Sequence, residues 1–240
     1  MNKITEELLK EVADFKGEFQ GAYNIREDGG CAGRQSTKNI QITSKEDLPG
    51  IDIHIAPGTK GETVYIPACV THSKVDDLVY NDFFVGEGAD VVIVAGCGVH
   101  SDGEDQARHN GIHRFFLKKG AHVVYKEKHL GTGKGKGLRR IDPVTDVYLE
   151  EDSVLEMDTV QLGGVDRTVR KTNGVVGARA RLVVRERLMT DGEETARTDF
   201  DVTMEGEASG VDLMSRSVAK GQSHQEFYYC IKGKARCTGH

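Results

Sequence analysis

A short pattern of alternating residues returns along the chain at intervals of about 30 residues. Each copy begins with a small or turn residue, and the second and fourth residues after it are usually apolar. The copies begin, at spacings of 28, 32, 32, 27, 28 and 27 residues, at Gly61, Ala89, Ala121, Ser153, Ala180, Ala208 and Ala235. Such alternation predicts a strand whose second and fourth residues share one face.

A strand that returns at one phase, with no helix between copies, indicates a parallel β-helix, because each rung buries its inner face only by stacking on the next. We therefore predict an all-β solenoid of about seven rungs. One column of aliphatic residues should lie in line inside it: Val91, Val123, Leu155 and Leu182. A β-sandwich is the alternative, but its strands come about every 8–12 residues without a longer register. The last two copies match poorly, since they put Gly210, Asp212 and Gly239 at inward positions.

The N-terminal segment predicts one short helix. Thr5 is its expected cap, Leu8, Leu9 and Val12 form an apolar stripe, and Lys16-Gly17 is the expected stop. This helix should cover one end of the core. We divide the chain into a helix and linker over residues 1–20 and a β-helix core domain over residues 21–240.

Composition excludes several classes of protein. The net charge of −6 argues against nucleic-acid binding, which needs clustered Lys and Arg. The charged N-terminus does not resemble a signal peptide, and no apolar run approaches the ~20 residues that span a bilayer, so we expect no membrane association and a cytoplasmic location. The five cysteines are an odd number without a CxxC pair, which makes a structural zinc site of the paired-cysteine kind improbable.

A stretch rich in histidine is a candidate metal site, because imidazole and thiolate ligate zinc, copper and iron. Its candidate ligands are Cys97, His100, His109 and His113, with His122 and His129 further along the chain. Ordinary surface or loop histidines are the alternative. A metal site would require neighbouring rungs to stack two or three of these residues together.

Two other stretches carry residue types used in catalysis or phosphate binding. Ser101-Asp102 and Ser223-His224 with Glu226 supply the types of a hydrolase triad, but no GxSxG pattern accompanies them. The glycine-rich run 131–137 lacks the spacing of a phosphate-binding loop and is interpreted as a flexible loop.

The last residues include Cys237 and His240, whose thiolate and imidazole are chemically able to ligate iron or carry sulfur. Equally, Cys237 falls at an inward rung position, where a free cysteine is often simply a small buried apolar residue. The residues alone leave both readings open.

Several longer motifs resemble the short SufB/SufD-like proteins of archaea and anaerobic bacteria. The likeness runs from Gly21 onward and is carried by residues 21–28, 49–54, 79–83, 94–100, 105–117, 215–220 and 223–227. The run Asn110-Gly-Ile-His-Arg-Phe-Phe116 is especially close. The resemblance implies a right-handed parallel β-helix that acts, without being an enzyme itself, as a scaffold for building iron–sulfur clusters. It also implies a SufC-like ABC-type ATPase as partner and pairing with a second copy or a SufB/SufD-like paralogue.

In the family, the stretch similar to Gly239-His240 continues to a Cys-Asp pair whose cysteine is the expected cluster or sulfur-handling residue. The present sequence ends before that pair. The resemblance therefore places Cys237 and His240 beside the family site, and we expect a transient iron–sulfur cluster to bind weakly here. We also predict a homodimer formed by strand addition at the 208–240 end.

Two other functions stay open at this stage. One is a β-helix enzyme, either carbohydrate-active or acyl-transferring, for which the absence of Trp is unfavourable on the carbohydrate side. The other is a His-rich metal-binding β protein.

Overall fold

The chain folds into a parallel β-helix of about seven turns preceded by one short helix. The structure is a computed structural model and describes residues 1–239. Helix α1 spans Lys3–Ala13. At 11 residues, α1 is too short to span a bilayer, and residues 1–239 contain no candidate membrane-spanning helix.

Two sheets face each other across the core. The first sheet contains β1 (Ala22–Glu27), β2 (Gly30–Gln35), β5 (Lys60–Tyr65), β6 (Ala68–Val70), β8 (Asp90–His100), β10 (His122–Thr132), β13 (Val154–Gln161), β15 (Arg181–Thr190), β17 (Gly210–Ala219) and β19 (Thr238–Gly239). The second sheet contains β3 (Ile40–Ser44), β4 (Gly50–Ile55), β7 (Asp76–Val85), β9 (Ala107–Leu117), β11 (Arg139–Ile141), β12 (Val144–Leu149), β14 (Arg167–Val176), β16 (Thr195–Met204) and β18 (His224–Gly233). The pairs β1–β2 and β3–β4 at the N-terminal end are antiparallel, and the other pairings are parallel.

The predicted aliphatic column is confirmed. Val91, Val123, Leu155 and Leu182 lie in register on neighbouring strands, and each is at most 1% exposed. Val211 continues the column on β17, so the inward residues there are Val211 and Leu213. The predicted Gly210 and Asp212 were one residue out of phase.

A tight turn that contains one residue in the left-handed conformation precedes the strands of the first sheet. This tight turn explains both the sequence repeat and the wrong phase at Gly210 and Asp212. In each turn a residue with positive φ precedes a small residue that packs against the core. The small residues are Thr59, Ala89, Ala121, Ser153, Ala180 and Ser209. At Ala208 the left-handed residue is not glycine (φ 56°). The sequence pattern therefore identified Ala208 as the small buried residue, although that residue is Ser209. Thr238 pairs with Gly210, so Cys237 occupies this small-residue position and not the second position of a strand.

The first rung was also misplaced. A bulge between Lys60 and Glu62 shifts the register of β5 against β8. The shift places Val64 in register with Ile93, where it is fully buried, so Val64 takes the inward position that the repeat beginning at Gly61 assigns to Tyr65.

Helix α1 differs from its prediction in cap and in location. Asn2, not Thr5, is the N-cap, and its side chain accepts a hydrogen bond from the Thr5 backbone N–H at 2.9 Å. The helix lies on the outer face of the first sheet and not over the end of the core. Its seat depends on two glycines of β8, because a Cβ at Gly96 would come within 2.4 Å of the Val12 carbonyl oxygen, and one at Gly98 within 2.9 Å of the Leu8 side chain.

The glycine-rich run lies along the preceding turn of the solenoid and is joined to it by backbone hydrogen bonds. Gly135 and Gly137 donate backbone hydrogen bonds to the carbonyls of Ser101 and Gly103, each at 3.0 Å. A Cβ at Gly137 would lie 1.9 Å from the Asp105 carbonyl oxygen, so the alternating glycines let this segment lie flat against the preceding turn.

Candidate functional site

A network of charged and polar side chains is buried between the two sheets. We call it the interior network; it consists of Asp77, His109, His113, Tyr125, Glu127, His129, Arg170 and Glu186. The two histidines of the network on β9 lie between Ala107 and Phe115. Ala107 belongs to a small apolar cluster, and Phe115 belongs to the main apolar core. The network therefore runs through the solenoid between two apolar regions.

Asp77 begins the network at the N-terminal end. Its carboxylate accepts three hydrogen-bond contacts from Arg26, the shortest at 2.7 Å, and lies 3.0 Å from His109 Nδ1. Burial alone would raise the pKa of this carboxyl, but the bonds from His109 and Arg26 outweigh burial and lower it. Asp77 is consequently held as a carboxylate.

The hydrogen bonds of His113 define one tautomer. The Tyr125 hydroxyl donates to Glu127 Oε1 at 2.8 Å, so His113 Nδ1 must carry the proton that joins it to the Tyr125 oxygen at 2.7 Å. His113 Nε2 then accepts from the Asn81 amide at 3.3 Å. Burial lowers the pKa of His113 to about 4, which keeps this ring neutral at physiological pH.

Glu127, His129 and Arg170 form the centre of the network. Arg170 Nη1 donates to Glu127 Oε2 at 2.9 Å, and Nη2 lies 3.2 Å from His129 Nδ1. Burial would raise the pKa of Glu127, but His129 and Arg170 lower it well below its usual range. Burial also lowers the pKa of His129, against the opposing effect of Glu127. His129 Nδ1 is thus an acceptor and Nε2 carries the proton. Nε2 lies 3.3 Å from Glu127 Oε1 but makes no hydrogen bond of good geometry among residues 1–239.

Glu186 ends the network towards the last turns. It accepts hydrogen bonds from Thr198 at 3.0 Å and Ser215 at 2.9 Å, and Arg170 Nε lies 3.5 Å away. A cavity of about 10 Å³ beside it is also lined by Gln161, whose buried Nε2 has no protein partner. That volume and polarity suit a single water molecule.

Three of the four predicted metal ligands lie in the interior, but each of them has different neighbours. His109 pairs with Asp77 and His113 with Tyr125. Cys97 is in register with His129, and burial first, then the charge of Glu127, raises the pKa of its thiol well above its ordinary value. His100 instead bonds Thr132 at 3.0 Å and Asp102 at 3.1 Å at the end of β8. Among residues 1–239, no three His, Cys, Asp or Glu side chains form a group able to hold a metal ion. Metal binding by these four residues stays a prediction.

The other predicted cluster ligands are at the C-terminal end. Cys237 is half-buried and packs against the main apolar cluster with Leu213 and Ile231. His240 lies outside the described residues. The assignment of Cys237 and His240 as cluster ligands stays a prediction.

The predicted hydrolase residues do not form a triad in the described chain. The Ser223 hydroxyl bonds Thr190 at 2.9 Å, and His224 pairs with Glu226 at 3.2 Å. The Ser101 hydroxyl is buried without a partner, although its neighbours His100 and Asp102 bond each other.

Sequence reasoning missed five members of the interior network: Asp77, Tyr125, Glu127, Arg170 and Glu186. The signal was present, since extending the inward alternation of the Ala121 rung by two more steps reaches Glu127 and His129. A charged residue at an inward position is costly unless it is paired, which makes it a marker worth following.

Comparison with known proteins identifies the family of the chain. Residues 80–238 match the family model described as SUF system FeS cluster assembly, SufBD core domain. The chain belongs to the SufBD family, whose members are components of iron–sulfur cluster assembly.

Two curated relatives come from Methanothermobacter thermautotrophicus. An iron–sulfur cluster assembly SufBD family protein of strain Delta H is 24% identical over 181 residues, and its homologue in strain Winter is 23% identical over 181 residues. Each match covers 74% of this chain and 42% of the relative. The chain thus spans less than half the length of the curated relatives it matches.

Proposed function

We propose that this chain is a non-catalytic scaffold component of a Suf-type iron–sulfur cluster assembly system. It works in the cytoplasm with a SufC-like ABC-type ATPase and pairs with a second copy or a SufB/SufD-like paralogue. Membership of the SufBD family is the observation that carries the proposal.

The surface relevant to the proposed pairing is the inner face of β18. Phe227 and Tyr229 are 38% and 39% exposed, whereas Thr198 and Phe200, which hold the same positions on the preceding strand, are 5% and 2% exposed. Apolar side chains in a solenoid are buried by the next rung, and an exposed apolar patch of this kind suits protein binding. A further rung, whether of the same chain or of a second copy, would bury these two side chains.

The homodimer is tested by light scattering on the purified chain at high concentration. We expect a dimer, and we expect Phe227→Ser with Tyr229→Ser to shift the mass to the monomer. Tyr148→Ser is the matched control, because Tyr148 is similarly exposed (45%) but lies on the outer face of β12. A wild-type monomer, or equal loss of dimer in the control, would contradict pairing through this end.

The ATPase partnership is tested by calorimetry and turnover. The chain alone should bind no ATP, whereas adding it to a SufC-like ATPase should change the rate of ATP hydrolysis. ATP binding by the isolated chain would contradict a purely structural role.

Cluster binding is tested by visible absorption after anaerobic reconstitution with iron and sulfide. We expect weak, substoichiometric binding that falls further in Cys237→Ala, because thiolates are the usual cluster ligands. Cys31→Ala is the control, since Cys31 is an exposed thiol at the N-terminal end. Tight stoichiometric binding that survives Cys237→Ala would redirect attention to Cys97, His100, His109 and His113.

A further inference from the structure

Beyond helix α1, the outer face of the first sheet carries an uncovered apolar stripe. Four residues on consecutive turns form it, and we call them the outer stripe: Leu130, Leu162, Met189 and Val218. Met189 is in register with Val218, and Leu162 follows Gln161, which is in register with His129 and Leu188. Leu162, Met189 and Val218 are 44%, 40% and 57% exposed. Four aligned residues on successive strands differ from the scattered exposed apolar residues of any surface.

The stripe continues the seat of a helix that is already present. Leu130, its first member, packs against the apolar cluster of α1 that contains Leu8, Leu9 and Val12. The same face therefore accepts an amphipathic helix at its N-terminal end. From Leu130 to Val218 the stripe crosses three strand spacings, about 14 Å, which a helix of about 10 residues would span.

The spacing of the stripe fits a helix laid across the strands. One helical turn rises about 5.4 Å, and neighbouring strands are about 4.8 Å apart. An apolar residue every third or fourth position would thus meet one stripe residue on each strand. A strand could not do this across β10, β13 and β15, because both edges of each of these strands are already paired.

Positive charge borders the stripe. Arg187 and Arg216 are in register on β15 and β17, and both side chains are exposed. Arg187 pairs with Asp158, but Arg216 has no carboxylate within 4 Å among residues 1–239. Like charges on adjacent strands repel, so a carboxylate brought by a ligand would pair with Arg216 and reduce its repulsion from Arg187.

We propose that the outer stripe is a docking site for an amphipathic helix of a partner protein, a helix whose apolar face covers Leu162, Met189 and Val218 and whose acidic flank pairs with Arg187 and Arg216. This surface is separate from the inner face of β18 at the last turn.

The test uses two synthetic amphipathic peptides of about 18 residues with identical apolar residues, one flanked by glutamates and the other by lysines. Binding to the whole chain is followed by fluorescence anisotropy. We expect the acidic peptide to bind at least about tenfold more tightly than the basic one.

Charge reversal with Arg187→Glu and Arg216→Glu should invert that preference, a gain of binding that a misfolded variant would not show. Met189→Asp with Val218→Asp should weaken the acidic peptide, whereas Tyr148→Asp on the opposite sheet should not. Equal affinity for the two peptides, no binding of either, or a preference that survives charge reversal would overturn the proposal. If instead light scattering shows that the Met189 and Val218 variants abolish a dimer, the occupant is a second copy, and the partner helix is wrong.

Discussion

Two columns of inward residues on the same strands of the first sheet differ in residue type. One column is uniformly aliphatic: Val91, Val123, Leu155 and Leu182. Four residues further along the strands, the other column reads Ala95, Glu127, Thr159 and Glu186, also in register. Both columns are buried to a similar degree, so burial alone does not decide their chemistry.

The two columns differ in their contribution to stability. The aliphatic column stabilises the stack by removing apolar surface from water. The polar column buries two carboxylates, which is costly unless Arg170 and the hydroxyl groups around them compensate. Well-packed apolar residues often replace buried ion pairs without loss of stability, so stability alone does not account for the interior network.

The largest expected effect comes from removing the central cation. Arg170→Met would leave Glu127 and Glu186 buried without a counter-ion, and we expect a loss of about 3–5 kcal/mol in the free energy of unfolding. Arg187→Met on the neighbouring outer face is the control and should cost at most about 1 kcal/mol, since its ion pair is exposed. Denaturant unfolding measures both. Equal costs would show that the polar column is not a charged network.

The aliphatic column is tested by Leu155→Ala. Leu155 is fully buried between Val123 and Leu182, so the cavity left behind should cost about 2–5 kcal/mol. Leu162→Ala is the matched control, because it removes the same atoms from an exposed site. A cost for Leu155→Ala no greater than that of the control would remove this column from the core.

The sequence was most informative where the small residue of the tight turn and the alternating apolar residues after it indicate the same strand register. At Ala89, Ala121, Ser153 and Ala180 the small residue and the apolar positions after it predicted the observed register. The bulge beside Gly61 and the left-handed Ala208 broke that agreement, because neither event changes residue type in a way that periodicity detects. The second strand of each turn went largely unnoticed, since its inward residues include His109, Arg170 and Thr198, which do not read as an apolar face.

The candidate site was less predictable for a related reason. His109 and His113 were singled out as metal ligands by residue type, yet their partners Asp77 and Tyr125 lie 32 and 12 residues away in sequence. Contacts between turns depend on register, and register depends on the length of each turn. Periods of 27 to 32 residues do not determine which side chains meet.

The pH dependence of stability probes the polar column through His113. The native pKa is about 4, below the value of about 6.5 in an unfolded chain. Between these values the unfolded state binds more protons, so stability must fall as the pH decreases from about 6.5 towards 4. The loss of unfolding free energy attributable to this ring should approach about 3 kcal/mol at pH 4. The pKa of His129 is also lowered by burial, so His129 acts in the same direction.

The measurement is the free energy of unfolding at several pH values for the wild type and His113→Gln. The variant should be less stable at pH 7.5, where the ring is neutral in both states, but its slope below pH 6.5 should be shallower. Parallel curves would mean that the pKa of His113 is not lowered in the native protein. A separate loss below about pH 4 is expected from Asp77, whose native pKa is lowered.

The smallest expected effect is at the end of the polar column. Thr198 donates one hydrogen bond to Glu186, at 3.0 Å, while Ser215 and Arg170 also lie against that carboxylate. Thr198→Val keeps the shape and removes the donor, so it should cost about 1 kcal/mol, much less than the loss of Arg170. Thr203→Val, on the outer face of the same strand, is the control and should be near neutral. If Thr198→Val costs as much as Arg170→Met, Glu186 depends on neutral donors more than on charge, and the contrast between the two columns is one of hydrogen bonding and not of ion pairing.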